Sequence, residues 1–294
     1  MSRLLNLNFH RLFKSLLFRI SIVFSVLYAV FLNISRFMKI KSIPDISSVL
    51  LNNKSNHADC FTFSGAMLII FISALLTGSF IGSEYSEGTI RNSFIAGHSR
   101  KDIYLSNFIV CASGSVILLL SYILTSLISG IILLESPQLE LNKLIFSCLI
   151  QCLSIVGFSA ILVFISMLVH SKSTSSAVLL ITTGLMLCLA MSTTTTLNEP
   201  EHFTNHSVVY TEDETGDEKY GTFQQKNPRY VSGTARITLI QLNNLLPVNQ
   251  IYRVYLNISK STNENFGIMA VYSGLIILIV NFAGISLFKK KDLK

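Results

Sequence analysis

GSEYSEGTIRNSFIAGHSRKDIY, running from Gly82 to Tyr104, is a charged block set between two long apolar runs. Upstream, Phe61 to Ile81 carries no charge, and downstream Ile103 to Leu134 carries none either. About 20 apolar residues suffice for a membrane-spanning helix. A short polar segment between two such runs therefore sits at one membrane face. Its charged and apolar side chains, presented there together, suit contact with another protein.

The rest of the chain agrees with a membrane setting. Of its 294 residues, 50% are hydrophobic and only 13% charged, with mean hydropathy +0.56. Soluble domains average about 25% charged residues. Six spans can be read: Leu16–Ile34, Phe61–Ile81, Ile103–Leu134, Leu144–Val169, Ser175–Ser192 and Phe266–Phe288. Arg19, near the end of the first, can snorkel to the head groups. The third is overlong for one bilayer and should tilt, bend or project into the cytosol. The fifth is the weakest, because Ser and Thr crowd both ends. Trp is absent, so interfacial anchoring falls to Tyr, Phe and Lys/Arg.

The net charge of +7 raises the question of nucleic acid, but its distribution argues for membrane orientation instead. Six spans place both termini on one side. Segments 1–19, 82–102, 170–174 and 289–294 hold twelve Lys/Arg; the short opposite segments, 35–60 and 135–143, hold five. The long 193–265 loop is discounted, since long loops translocate regardless of charge. Both termini are therefore expected in the cytosol, with Lys289, Lys290 and Lys291 as a stop. A cleaved signal peptide is not expected, because Leu16–Ile34 is longer than an h-region and no small-residue cleavage pattern follows it.

Residues 1–15 read as an amphipathic interfacial helix. Leu5, Phe9, Leu12, Phe13 and Leu16 share one face, while Asn6, His10, Arg11 and Lys14 occupy much of the other, near anionic head groups. A plain N-terminal extension of the first span is the alternative. Residues 16–192 hold five spans with the cytosolic segment 82–102, and 266–294 the sixth span and basic tail. Between them, 193–265 is expected to form a small mixed extracellular subdomain. It carries an acidic patch (Glu212, Asp213, Glu214, Asp217, Glu218) and strand-like pieces at Ser207–Thr211 and Tyr220–Phe223. A helix over Ala235–Leu246 is stopped by Pro247. Then Ile251, Val254, Tyr255 and Ile258 recur at helical spacing, as if along the outer leaflet. The fold class is an all-α membrane protein with this lid outside. The lid is expected to shape cargo release or specificity without folding the bundle.

Within the 82–104 block, Glu87 and Arg91 stand at i, i+4, the favourable order for a helix pair. Ile90, Phe94 and Ile95 make a small apolar face. Gly97 is a stop signal, and Ser99 with Asp102 is a capping box for the next helix. A short cytosolic helix with a charged side and an apolar side fits a groove on a partner. A merely solvated, orientation-setting loop is the competing reading.

The stretch EYSEGTIRNSFIAGHSRKDIYLSN resembles the segment between the second and third spans of bacterial ABC-2-type permeases. There that segment contains the coupling helix that touches a separate ATP-binding subunit. The resemblance extends to an amphipathic N-terminal helix, six spans, cytosolic termini and a basic tail, and excludes the large 193–265 loop. Glu84, Glu87, Gly88, Thr89 and Arg91, then Gly97, His98, Ser99 and Arg100, match the family's pattern. It implies a subunit of an ABC exporter in the bacterial plasma membrane, with two ATP-binding subunits and a second permease copy or homologue. ATP and Mg would sit on the partner, and no cofactor on this chain.

Other chemistries lack their residues. No Gly-x4-Gly-Lys-Ser/Thr occurs, so another chain must supply any ATP site. There is no His-Glu-x-x-His. Glu84 and Glu87 are too few, and too near a solvated loop, for paired catalytic carboxylates. Gly157-Phe-Ser159 has no intramembrane His as a base. His170 closes the fourth span at the interface. The cysteines, at 60, 111, 148, 152 and 188, lie in or beside apolar runs and lack metal-site spacing, and Cys148 with Cys152 at i, i+4 read as small apolar helix residues. Asn53, Asn205 and Asn257 open Asn-Xaa-Ser sequences that are common by chance. Mid-span polar residues such as Gln151 and Asn281 are neutral, which disfavours an ion-coupled transporter. Gly78-x3-Gly82 and Ser126-x3-Gly130 suit close helix packing, or arise by chance in Ser/Gly-rich spans. The expected cargo is an amphipathic peptide, an antibiotic or a lipid-like molecule. The alternative function is a non-transporting sensor or immunity protein that binds a ligand through its outer loop.

Overall fold

A computed structural model describes residues 1–42, 62–134, 140–169, 171–209, 219–260 and 265–290, without side chains for 204–224 and 257–260. Asn53, Cys60, His170, Lys291 and the acidic patch 212–218 lie outside the described residues, as do the side chains of Asn205 and Asn257.

Hydrophobic length is what sets the architecture. Six helices are long and apolar enough to cross a membrane: α2 (Leu16–Lys41), α3 (Ala66–Ser86), α5 (Arg100–Leu133), α6 (Leu141–Leu168), α7 (Lys172–Asn198) and α10 (Phe266–Lys290). They match the six expected spans with shifted ends. The protein is thus an all-α, multi-pass membrane protein. The rest comprises α1 (Ser2–Lys14), α4 (Thr89–Ile95), the antiparallel pair β1 (His202–Val209) and β2 (Lys219–Lys226), α8 (Gly233–Leu245) and α9 (Pro247–Lys260). At 34 residues, α5 is unbroken and about 50 Å long, well beyond a ~30 Å hydrocarbon layer.

Small residues decide how closely the helices approach. A Cβ on Gly78 would lie 2.7 Å from the Ser176 Cα, and one on Gly82 2.5 Å from the Lys172 Cα. Backbone meets backbone there, so Gly78-x3-Gly82 is the seam along which α3 packs on α7. On α2 the buried positions are Phe18, Ser21, Ser25, Ala29 and Asn33, a stripe facing α5. Asn33 Nδ2 donates to the Ser126 carbonyl at 2.9 Å and to Ser129 Oγ at 2.7 Å.

The chain turns sharply between α1 and α2. Ser15 leaves helical geometry (ψ 130°) and its Oγ accepts from the Phe18 amide at 3.3 Å. Residues 2–14 are therefore a helix of their own rather than an extension of the first span. Its inner edge is Leu4, Asn8 and Leu12, all buried, while Phe13 and Leu16 stay exposed.

Between α7 and α10 the chain departs, at α9, from the expectation of a peripheral lid. α7 runs through the threonine run to Asn198, and the hairpin pairs His202 with Lys226 through to Val209 with Lys219. α9 does not lie along the outer leaflet. Val248, Ile251 and Val254 are buried, and the helix packs on α6 and α7. Polar contacts fix it: Asn249 Nδ2 donates to Asn243 Oδ1 (2.8 Å) and Thr193 Oγ1 (2.9 Å), and Gln250 Oε1 accepts from Ser154 Oγ (2.8 Å) and from Ser273 Oγ. An amphipathic helix can turn its apolar face to lipid or to protein, and here hydrogen-bonding partners on α6, α7 and α10 draw it into the bundle.

Candidate functional site

The charged block folds as two turns around a short helix. α3 ends at Ser86, with Glu87 as its C-cap and Gly88 at φ +67°, the left-handed region that glycine tolerates best. The helix is broken between Glu87 and Arg91, so the expected i, i+4 pair does not exist; the Glu87 carboxylate instead lies 3.6 Å from Arg11 Nη2. α4 then runs from Thr89, whose Oγ1 donates to the Glu84 carbonyl at 3.1 Å.

Its end follows the expected stop signal. Gly97 adopts φ +88°, the His98 amide donates to the Ser93 carbonyl (3.2 Å) and the Gly97 amide to Phe94 (3.0 Å). That crossed pair of bonds is a Schellman motif, which satisfies the last carbonyls of α4. Ser99 Oγ accepts from the Asp102 amide at 3.1 Å and opens α5.

The surface of α4 divides sharply. Ile90 is buried against the bundle, whereas Phe94 is 46% and Ile95 71% exposed, with Arg91 and Asn92 beside them. The expected three-residue apolar face is thus one anchor turned inward and two residues turned outward. Arg100 stacks its guanidinium on Phe94, Cζ 5.4 Å from the ring centroid. The same guanidinium donates to the carbonyls of Phe288 (3.3 Å) and Lys289 (2.9 Å). Arg100 thereby closes the C-terminal end of α10, where a cation is favoured, and joins it to the start of α5 on the face where α1 also packs, the terminal face of the bundle. Thr89, His98 and Ser99 line the turns around α4, and Glu87 is exposed at its entrance.

Glu84 has a different place from the one expected. Its side chain is buried, not solvated, and lies at the centre of a polar network. Arg11 Nη1 donates to Oε1 at 2.9 Å, and Asn107 Nδ2 donates to Oε2. Asn8 Nδ2 reaches Ser106 Oγ at 3.0 Å and Asn107 Oδ1 at 3.1 Å. Arg11 also sits over Phe80, Cζ 5.5 Å from the centroid. α1 is therefore pinned to α3 and α5 by a partly buried ion pair and two asparagines, with the Arg11 guanidinium drawn onto Glu84. Tyr85 Oη adds a tie to the Met167 carbonyl at the end of α6, at 2.8 Å.

The arrangement brings Glu87, Gly88, Thr89, Arg91, Phe94, Gly97, His98, Ser99 and Arg100 to one surface and withdraws Glu84 and Ile90 from it. Sequence reasoning missed Asn8, Arg11 and Asn107 as the anchor. The available signal was an asparagine interrupting the apolar side of α1 and another inside an otherwise apolar span. No group of three or more His, Cys, Asp or Glu capable of holding a metal occurs among the described residues. No protein-family model matches the chain, and no curated protein matches it. Six helices long and apolar enough to cross a membrane define a class, the multi-pass membrane protein, and no narrower family.

Proposed function

We propose that this chain is the membrane-spanning subunit of an ATP-driven exporter, with separate ATP-binding subunits docking on the α4 surface. The reading rests on one observation above the others. A seven-residue helix stands at the terminal face with Phe94 and Ile95 exposed, while its other side is fixed to the bundle through Ile90, Thr89 and Arg100. A solvated sorting loop needs no exposed aromatic and no Schellman stop. A lever needs both an outward grip and an inward linkage.

In this reading both termini are cytosolic in a bacterial plasma membrane, and the functional unit pairs two permease chains with two ATP-binding subunits. Closure of those subunits on ATP pushes α4. The push passes to α3 through the Glu84–Thr89 bond, to α10 through Arg100, and to α1 through Arg11. Cargo is an amphipathic peptide, an antibiotic or a lipid-like molecule, in keeping with spans rich in Phe, Leu, Ser and Thr. Photo-cross-linking from position 95 in intact cells tests the docking. The expected product joins this chain to a protein carrying Gly-x4-Gly-Lys-Ser/Thr. Cross-links to lipid alone, or to proteins without that motif, would refute the reading.

A further inference from the structure

A groove of about 930 Å³ opens on the bundle between α2 and α3, beneath α1. Its walls are Leu17, Ile20 and Phe24 on one helix and Ile72, Leu75 and Phe80 on the other. Its mouth, at the terminal face, is ringed by His10, Lys14 and Lys172. From Ser83 at the mouth to Ile72 at the floor α3 rises about 16 Å. That is the depth of one leaflet of a ~30 Å hydrocarbon layer.

We propose that this groove binds an anionic phospholipid of the leaflet on the terminal face, phosphate at the lysines and an acyl chain along the trough. Charge complementarity selects that occupant. Arg11 lies at the rim but is engaged by Glu84 and Glu87, whereas Lys14 and Lys172 have no ion-pair partner among the described residues. Glu87, the sole acid among the described residues that line the groove, is the one already held by Arg11 at 3.6 Å. α7 begins at the same rim with Lys172 in its first turn and no side chain capping its amides, which adds the positive end of a helix dipole. The trough is open to the membrane: Ile20 is 57% and Phe24 47% exposed. A second copy of this chain seated symmetrically on the groove would press one cationic rim against another, so protein is the poorer occupant. The proposal needs only the membrane-spanning fold and is independent of any ATPase.

Because the chain contains no Trp, a single introduced indole reports its own surroundings. Phe24→Trp places it in the groove; Leu278→Trp, at a position 70% exposed on α10, is the comparison. The full chain is reconstituted in phosphatidylcholine vesicles carrying brominated phosphatidylglycerol or brominated phosphatidylcholine as quencher. Each lysine at an anionic membrane surface is worth about fivefold in affinity. The groove indole of Phe24→Trp should therefore be half-quenched at a phosphatidylglycerol fraction at least about fivefold below that for phosphatidylcholine. The indole of Leu278→Trp should show no preference, and adding Lys14→Gln with Lys172→Gln to Phe24→Trp should abolish the preference there. Equal quenching of the groove indole by both lipids would overturn the proposal. So would a preference that survives the two lysine substitutions, or shielding of the groove indole from both lipids, which would mean that protein fills the groove.

Discussion

Removing Arg11 should destabilise the protein far more than removing its partner's charge. Glu84 is 3% exposed and its carboxylate has two partners, Arg11 at 2.9 Å and Asn107. Arg11→Gln strands that carboxylate in the bundle with an amide as its remaining described donor. Breaking a buried pair from one side costs about 3–5 kcal/mol, and the 24% exposure of the Arg11 side chain puts the expectation near the lower end, about 3 kcal/mol. Glu84→Gln is different. It keeps the shape, and the guanidinium left behind is partly solvated with Glu87 still 3.6 Å away. That loss should be about 1 kcal/mol, the scale of a single hydrogen bond. In Arg11→Gln with Glu84→Gln no buried charge remains, so the double variant should be more stable than Arg11→Gln alone. The assay is thermal unfolding of the purified protein in neutral detergent for all four members of the cycle. Equal losses for the two single variants, or strictly additive ones, would refute the assignment of Glu84 and Arg11 as a coupled buried pair.

Three further outcomes follow from contacts elsewhere. Gly82→Leu forces a side chain against the α7 backbone and should lower stability by about 1–3 kcal/mol or more, whereas Gly184→Ala, with open surroundings, should be neutral or slightly stabilising in the same melt. Gly88→Ala meets no atom within 4 Å, so its cost of about 1–2 kcal/mol is backbone strain, and Gly88→Asn should recover part of it; equal behaviour of the two would contradict the left-handed turn. Ile251→Asp buries a charge within the bundle and should prevent recovery of folded protein, while Ile237→Asp, at a site 60% exposed, should not; comparable yields would return α9 to the membrane surface.

Most of the fold was legible because hydrophobic length is a local property. The six spans needed only counting, and Gly97 and Ser99 end and begin helices by rules written within four residues of chain. What escaped is nonlocal. Glu84 looked solvated because it precedes a polar run, yet its partner Arg11 lies 73 residues away in sequence. Glu87 and Arg91 have ideal spacing for a helix pair, and only the positive φ of Gly88, invisible in spacing, separates them. For α9, periodicity identified the apolar face but not what the face meets. The buried Asn243, Asn249 and Gln250 are what hold it to protein.

Whether the exposed edge of α4 receives force from an ATP-binding subunit is read out by coupled ATP hydrolysis. Phe94→Ala with Ile95→Ala removes the outward grip and leaves Ile90, Arg11 and Glu84 untouched. A truncated hot-spot aromatic alone can cost about 2 kcal/mol or more of binding, roughly a thirtyfold loss of affinity. Membrane insertion should be normal and stability lowered by no more than the ~0.5–1 kcal/mol of the Arg100–Phe94 stack, with loss of the ATP-binding subunit from the purified complex and of cargo-stimulated hydrolysis. Wild-type complex formation and hydrolysis in that double variant would contradict docking on α4.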